Sequence, residues 1–307
     1  MKPVFCVLGS LNMDMVTRVE RFPMPGETIS GVSFRIFPGG KGANQAVALA
    51  RLGADVEMIG AIGDDMLGAG YLDILKAEGV GVAELRTRKG IATGTASIEV
   101  STAGENHIII VAGANETVTP EFVRSVRGSI EAAGALLLQL EIPMESILEA
   151  ARIAAAKSIP VILDPAPAQK LPPELLSLVT YITPNETEAS ILTGEDTSTD
   201  AGVEKAARAL LSMGIRTVII KAGKRGAFVI DGAGLRGHPT YPVKVVDTVA
   251  AGDSFNAGFA YALGGGKSVD EAVRFANAVA GLSTTKEGAQ SAMPTLAEAE
   301  ALIAAHR

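Results

Sequence analysis

Short apolar runs alternate with amphipathic stretches along most of the chain, and glycines punctuate the changeovers. Val4–Gly9 reads as a buried strand, because a continuous apolar run closed by glycine suits a strand covered on both faces. Ala43–Leu52 repeats its apolar positions at helical spacing, with Gly53 placed to end the helix. The same rhythm predicts a strand over Val56–Ile62 and a helix over Leu67–Glu78. Thr119 caps a helix that Pro120 begins. A strand over Ala135–Leu140, a helix over Met144–Lys157 and strands over Val161–Leu163 and Val179–Thr183 follow. Asn185 opens a short helix, Val203–Met213 forms another, and Thr217–Lys221 and Ala227–Asp231 are strands. Three helices close the pattern, over Ser254–Leu263, Val269–Ser283 and Leu296–Ala305. Such alternation predicts an α/β fold: a mostly parallel central sheet with helices on both faces. Ligands of such sheets sit outside the carboxyl ends of the strands.

Two stretches break the rhythm. Thr95–Ser101 alternates in period two, and His107–Val111 follows the turn Thr102-Ala103-Gly104-Glu105, which predicts a β-hairpin. Val16–Phe37 has no helical period and carries Pro23, Pro25 and Gly31. Both are read as parts of a small β-sheet lid, spanning about 14–38 and 94–112, on a single domain covering 1–307.

Composition narrows the function. The 307 residues are 48% hydrophobic and 20% charged, with 34 glycines, which suits a globular chain rich in tight βα turns. The net charge is −7, and no basic run is present. With no tryptophan and 4% aromatics, a nucleic-acid partner is not expected. Cys6 is the one cysteine and lies in the first apolar run, so it reads as a buried small side chain in a reducing compartment. Only Lys2 precedes that run, and Asn12 and Asp14 follow soon after, which does not suit a secretory signal. No apolar run reaches the roughly 20 residues of a membrane helix. A cytoplasmic protein with no membrane partner is expected.

Several familiar patterns fail on context. Residues 232–237 spell GxGxxG, but they lie between strand-like runs and ahead of Pro239 and Pro242. A dinucleotide site needs that motif between a strand and a helix, so a hairpin loop is the better reading. Gly266-Lys267-Ser268 has Tyr261 where a P-loop needs its first glycine. His107, His238 and His306 lack metal-site spacing.

The strongest chemistry lies in Asp247-Thr248-Val249-Ala250-Ala251-Gly252-Asp253-Ser254-Phe255-Asn256. Small residues lead into an apolar helix, and a helix N-terminus offers unpaired amides at the positive end of its dipole. The amides of Ala250, Ala251 and Gly252 can form an anion hole for a phosphoryl group. Asp253, in the first turn beside it, can take a proton from an attacking hydroxyl.

Asp-Thr-x-Ala-Ala-Gly-Asp is similar to the C-terminal signature of the ribokinase-like (PfkB) carbohydrate kinases, and Gly39-Gly40-Lys41-Gly42-Ala43-Asn44-Gln45-Ala46 resembles their N-terminal signature. Gly9-Ser10-Leu11-Asn12-Met13-Asp14, Gln139-Leu140-Glu141 and Thr183-Pro184-Asn185-Glu186-Thr187-Glu188 also resemble that family, in the same order, over about residues 4–295. The resemblance implies a three-layer fold with a β lid over a sugar. It implies sugar contacts from Asn12, Asp14, Gly40, Lys41, Asn44, Glu141 and Asp253, and a nucleotide site along Asn185, Lys221, Gly223, Gly226, Gly252 and Asn277. Asn185 and Glu188 are implied to organise Mg²⁺, largely through water. A monovalent cation such as K⁺ is implied near Asp247, Val249, Ser283, Lys286 and Gly288, mostly on carbonyls, although Ala292 stands where the family commonly has serine. Asp164, in Leu163-Asp164-Pro165, ends another strand on the side of the phosphates but is not counted among the site residues.

The implied activity is ATP-dependent phosphorylation of a primary sugar hydroxyl, with D-ribose at O5 the leading substrate and Asp253 the base. A kinase for 2-deoxyribose, fructose, adenosine or pseudouridine is the neighbouring alternative, distinguished by lid side chains such as Ala96, Ile98 and Ile110. A catalytically silent sugar- or nucleotide-binding protein and a dehydrogenase are the alternatives of other classes. Exposed lid edges invite pairing, so a homodimer through the lid is expected.

Overall fold

A computed structural model of the chain describes residues 4–306; Lys2 and the outermost ends of the expected 1–307 domain lie outside the described residues. Its main sheet comprises β1 (Val4–Leu8), β4 (Asp55–Gly63), β5 (Leu85–Arg88), β8 (Ala135–Leu138), β9 (Val161–Leu163), β10 (Tyr181–Ile182), β11 (Thr217–Lys221), β12 (Ala227–Asp231) and β13 (Gly234–His238). Their spatial order is β13-β12-β11-β10-β9-β8-β1-β4-β5. Every neighbouring pair is parallel except β11–β12 and β12–β13. A second sheet, in the order β3-β2-β6-β7, contains β2 (Asn12–Val19), β3 (Ser33–Gly39), β6 (Gly94–Ser101) and β7 (Asn106–Val111).

Alternate residues of the central strands feed two cores. Cys6, Leu8, Leu136, Leu138, Val161 and Leu163 pack on one face, against α3 (Pro120–Ser125), α4 (Arg127–Glu131), α5 (Met144–Ala156), α6 (Pro173–Leu178), α7 (Glu186–Thr193) and α8 (Asp200–Ser212). Phe5, Val7, Ala135, Leu137 and Ile162 pack on the other, against α1 (Lys41–Arg51), α2 (Met66–Ala77), α9 (Ala251–Gly264) and α10 (Val269–Ser283). Helix α11 (Leu296–Ala304) lies against α10. The period of two along a strand thus builds the three layers that the apolar runs imply.

Most expected elements are present within a residue or two, and the exceptions have local causes. The expected strand 179–183 shrinks to Tyr181–Ile182, because Val179 and Thr180 turn the chain out of α6 and Pro184 follows. Helix α9 starts at Ala251, three residues before the expected Ser254, which brings Gly252 and Asp253 inside its first turn. Residues 234–237 are not a loop: the turn closes at Gly232-Ala233 and Gly234–His238 returns as β13. Strand β5, reading Leu-Arg-Thr-Arg at the sheet edge, and α6, opened by Pro172-Pro173, are too short and too polar to show a period.

Candidate active site

The end of β1, the N-termini of α1 and α9 and the loops after β8, β9 and β11 meet at the carboxyl edge of the main sheet. Gly40, which caps α1, has φ +84°, and a Cβ there would lie 2.7 Å from the amide nitrogen of Asn12. A Cβ at Gly42 would lie 2.7 Å from the backbone of Gly9 and Ser10. These glycines let the start of α1 rest directly on the chain leaving β1. At the other helix, Ala250 adopts a left-handed φ of +58°, a conformation that costs an L-residue roughly 1–2 kcal/mol. A left-handed residue leading into a helical turn makes a concave nest of amides. The Ala251 amide donates back to the Thr248 carbonyl over 3.3 Å. Gly252 and Asp253 are the first-turn residues whose amides face the open end of α9. Of the three amides expected to form the hole, that of Ala251 is thus partly engaged, and the Asp253 amide joins them at the open end.

A cleft of about 800 Å³ opens over this nest, lined among others by Lys41, Asp164, Asn185, Glu188, Lys221, Gly223, Gly226, Gly252, Asp253 and Asn277. A smaller apolar cavity of about 460 Å³ beside α6 and α8 has Lys170 as its one charged lining residue and offers no acid–base pair.

Asp253 is 4% exposed. The Asn44 Nδ2 donates to its Oδ2 at 3.0 Å and the Gln45 Nε2 to its Oδ1 at 3.2 Å. Burial pushes its carboxyl up to about 6; Lys41 pulls it down, Asp164 pushes it further up, and the two amide donors favour the charged form. Such a carboxylate is ionised at neutral pH yet basic enough to accept a proton. Burial disfavours the Lys41 ammonium, but Asp253, Asp164, Glu141 and Glu188 outweigh that and hold it charged.

The residues expected to hold a sugar lie around Asp253. Glu141 Oε2 accepts from the Ser10 hydroxyl at 2.5 Å and from the Lys41 amide at 3.1 Å. Asn12 Oδ1 accepts from Asn115 Nδ2 at 2.8 Å, which leaves its own amide hydrogens for a ligand. Burial, then Glu141 and Asp253, push the Asp14 carboxyl up to about 7. A Cβ at Gly39 would meet that carboxylate at 2.2 Å, so Gly39 makes room for it.

Among the residues expected to line a nucleotide site, Lys221 Nζ pairs with Asp164 at 2.9 Å, and a Cβ on Gly252 would come within 3.3 Å of the same ammonium. A fixed cation thus stands beside the amide nest. Asn185 and Glu188 form a reciprocal capping box at the start of α7, and burial raises the Glu188 carboxyl against the pull of Lys221. No group of three His, Cys, Asp or Glu among the described residues forms a metal cage; a hard cation that keeps most of its waters and rests on phosphates fits these two residues. Asn277 Nδ2 donates to the carbonyls of His238 and Pro239, so its Oδ1 is the polar atom left to a ligand.

The two loops expected to hold a monovalent cation come together: Asp247 accepts from the amides of Val249 at 3.0 Å and Gly288 at 2.9 Å. Ser283 donates to the Ala280 carbonyl. Lys286 turns away to Glu298, which leaves only its carbonyl available.

Sequence reasoning passed over four residues that the structure places in the site's support. Gln45 bridges Asp164 and Asp253, and Gln139 Nε2 donates to Gln45 Oε1 at 2.8 Å. Tyr71 and Gln290 stand behind Asn44. Gln45 and Gln139 lie inside quoted motifs, so a signal existed; Tyr71 and Gln290 carry no local pattern.

Three comparisons bear on this geometry. A model described as pfkB family carbohydrate kinase matches residues 3–296. The ribokinase of Haemophilus influenzae is 45% identical over 298 residues, 97% of each chain, and that of Bacillus subtilis is 44% identical over 298 residues, 97% of this chain and 98% of the relative. The solved structure of Arabidopsis thaliana ribokinase with ribose and ATP superposes with a TM-score of 0.95 at 36% identity, over 99% of both chains.

Proposed function

The chain belongs to the pfkB family of carbohydrate kinases, and we propose that it transfers the γ-phosphate of ATP to O5 of D-ribose with Asp253 as the base. The observation that carries the reading is one buried, amide-held carboxylate in the first turn of α9, beside a cationic nest at the floor of an 800 Å³ cleft. The names of the relatives supply the sugar: the Haemophilus and Bacillus proteins are ribokinases, and the Arabidopsis structure holds ribose and ATP.

In this reading Asn12, Asp14, Gly40, Lys41, Asn44 and Glu141 hold the sugar hydroxyls, with paired donors and acceptors suited to a polyol. The triphosphate lies along Asn185, Lys221, Gly223, Gly226, Gly252 and Asn277. Asp253 draws the proton from the primary hydroxyl as its oxygen attacks in line. The amides of Ala250, Ala251 and Gly252, with Lys41 and Lys221, face the charge spreading over the transferred group. Asn185 and Glu188 would hold Mg²⁺ through water, and that ion, bound with ATP, neutralises phosphate charge. K⁺ on the oxygens of Asp247, Val249, Ser283, Lys286 and Gly288 would steady the loop before α9.

Residues 14–38 and 94–112 form the lid. Asp14, Ala96 and Ile110 are directly opposite one another across β2, β6 and β7, as are Val16, Ile98 and Ile108, so these side chains share one face. Asp14 turns that face toward the sugar, which puts Ala96, Ile98 and Ile110 where they bear on substrate choice. The other face carries Phe34, Ile36, Ile109 and Val111, exposed by 58, 44, 68 and 55%. Such an apolar patch is unusual on a lone monomer and supports a homodimer through the lid. No helix among the described residues is long and apolar enough to cross a membrane; a kinase drawing on ATP fits the cytoplasm.

The test is ATP-dependent phosphorylation of ribose, 2-deoxyribose, fructose, adenosine and pseudouridine, with Mg²⁺ and with or without K⁺. Ribose turnover is expected to dominate, to rise with K⁺, and to fall by about 10²–10⁴ in Asp253→Asn. Undiminished turnover in the variant would remove Asp253 from the base position.

A further inference from the structure

Behind the proposed base runs a buried chain of hydrogen bonds that ends on the backbone at the root of the lid. The Tyr71 hydroxyl, in α2, donates to the carbonyl of Gly39 at 2.5 Å, and Gly39 is the last residue of β3, paired with Asn12 of β2. Gln290 Nε2 donates to the Tyr71 oxygen at 2.9 Å and to Asn44 Oδ1 at 3.2 Å. Asn44 Nδ2 then donates to Asp253 Oδ2 at 3.0 Å. All four side chains are nearly or wholly buried, Tyr71 completely so.

The direction of this chain is forced from its far end. A backbone carbonyl only accepts, so the one phenolic proton of Tyr71 is spent on Gly39. Burial, and then the nearby carboxylates, raise the Tyr71 phenol, with the Gln290 hydrogen bond pulling the other way, and that proton stays in place. The phenolic oxygen must therefore accept, and only the nitrogen end of Gln290 can supply it. The same nitrogen donates its second hydrogen to Asn44, which must turn its oxygen toward Gln290 and its nitrogen toward Asp253. Gln290 Oε1 is left buried with no partner, an expense explained if both amide hydrogens are needed elsewhere.

We propose that Tyr71 and Gln290 are positioning residues that fix which end of the Asn44 amide faces the Asp253 carboxylate, and so keep the base open to the sugar hydroxyl. The proposal deepens the kinase reading and rests on it for the role of Asp253. Removing either residue frees the Asn44 amide to reverse. A reversed amide presents oxygen to oxygen and favours a protonated Asp253. The other groups facing Asp253 stay as they are: Gln45 and Lys41 on α1, Asp14 on β2, and Asp164 after β9 with its partner Lys221. Glu141, after β8, acts on both Asp14 and Lys41.

The test is the titration of Asp253 in the free protein, read from carboxyl carbon shifts with ¹³C-labelled aspartate and assigned by the signal lost in Asp253→Asn. Tyr71→Phe keeps the ring and the packing; Gln290→Met keeps the length. Each is expected to raise the midpoint by about one pH unit, a tenfold change in ionisation. The double variant is expected to shift it no further than either single, because both act through one amide. The acid limb of kcat for ribose should move with it. An unmoved midpoint in both single variants, or additive shifts in the double, would overturn the proposal. A moved midpoint with no sugar phosphorylated by the wild type would uphold the positioning role and sink the kinase reading instead.

Discussion

Around Asp253, side chains are anchored from behind: Asn44 by Gln290, Gln45 by Gln139, Glu141 by Ser10 and the start of α1. On the outer face of the four-stranded sheet, Phe34 and Ile36 on one edge strand and Ile109 and Val111 on the other stand exposed. The first region fixes charges and hydrogen bonds in a buried place, where a small displacement is costly to the chemistry. The second carries apolar area but little polar definition, so its energetics depend on what covers it. The two differ in what should break them: geometry for the floor, association for the lid.

The most severe way to break the floor is to lift α1 off β1. Gly42→Ala places a methyl 2.7 Å from the backbone of Gly9 and Ser10, atoms that cannot rotate away. Overpacking of this kind costs about 1–3 kcal/mol. The helix that moves carries Lys41, Asn44 and Gln45, so kcat is expected to fall by about 10²-fold, with a lowered melting temperature. Melting curves and ribose kinetics on the same preparation check it; wild-type kcat would show that the contact between α1 and β1 does not set the geometry of the base.

For the lid, Ile109→Lys puts a charge on the apolar outer face of edge strand β7 without touching the row that holds Asp14, Ala96 and Ile110. Gel filtration at micromolar concentration is expected to show a dimer for the wild type and a species near 31.5 kDa for the variant. The sugar KM should rise several-fold as the lid loses its support, with kcat nearly unchanged. A fall in kcat with KM intact would mean that the lid shapes the floor, and the contrast between the regions would fail.

The floor was far more legible in the sequence than the lid. Ala250–Asp253 and Gly39–Gln45 are contiguous, and a helix N-terminus built from small residues is a local property that spacing reveals. Asp14 and Glu141 were found through motifs, whereas the partners that fix them come from distant positions. Tyr71 reads as one more apolar position of α2, and Gln290 sits in a turn with no period; only the fold brings them together. In the lid, the alternation of 95–101 and 107–111 announced a hairpin, but β2 and β3 lay in a stretch of proline and glycine with no clear alternation. Which face is bare depends on the parallel pairing of β2 with β6, a long-range register that no local pattern carries.

The smallest effect separates the regions by titration. The Asp253 carboxyl is raised from 3.8 to about 6, chiefly by burial. The folded chain therefore binds this proton more tightly than the unfolded one. Stability from this group is fully present below about pH 3.8, declines as pH rises, and is lost above about 6. The proposed base thus weakens the fold at neutral pH, a common balance between function and stability. Asparagine does not titrate, so the melting temperature of Asp253→Asn minus that of the wild type is expected to become more positive by a few degrees, roughly 3–6 °C, between about pH 4 and 7. Any fixed offset from mismatched amide contacts cancels in that difference. A flat difference would mean that Lys41, Asn44 and Gln45 offset the whole cost of burying the charge, and the contrast between a strained floor and an unstrained lid would fail.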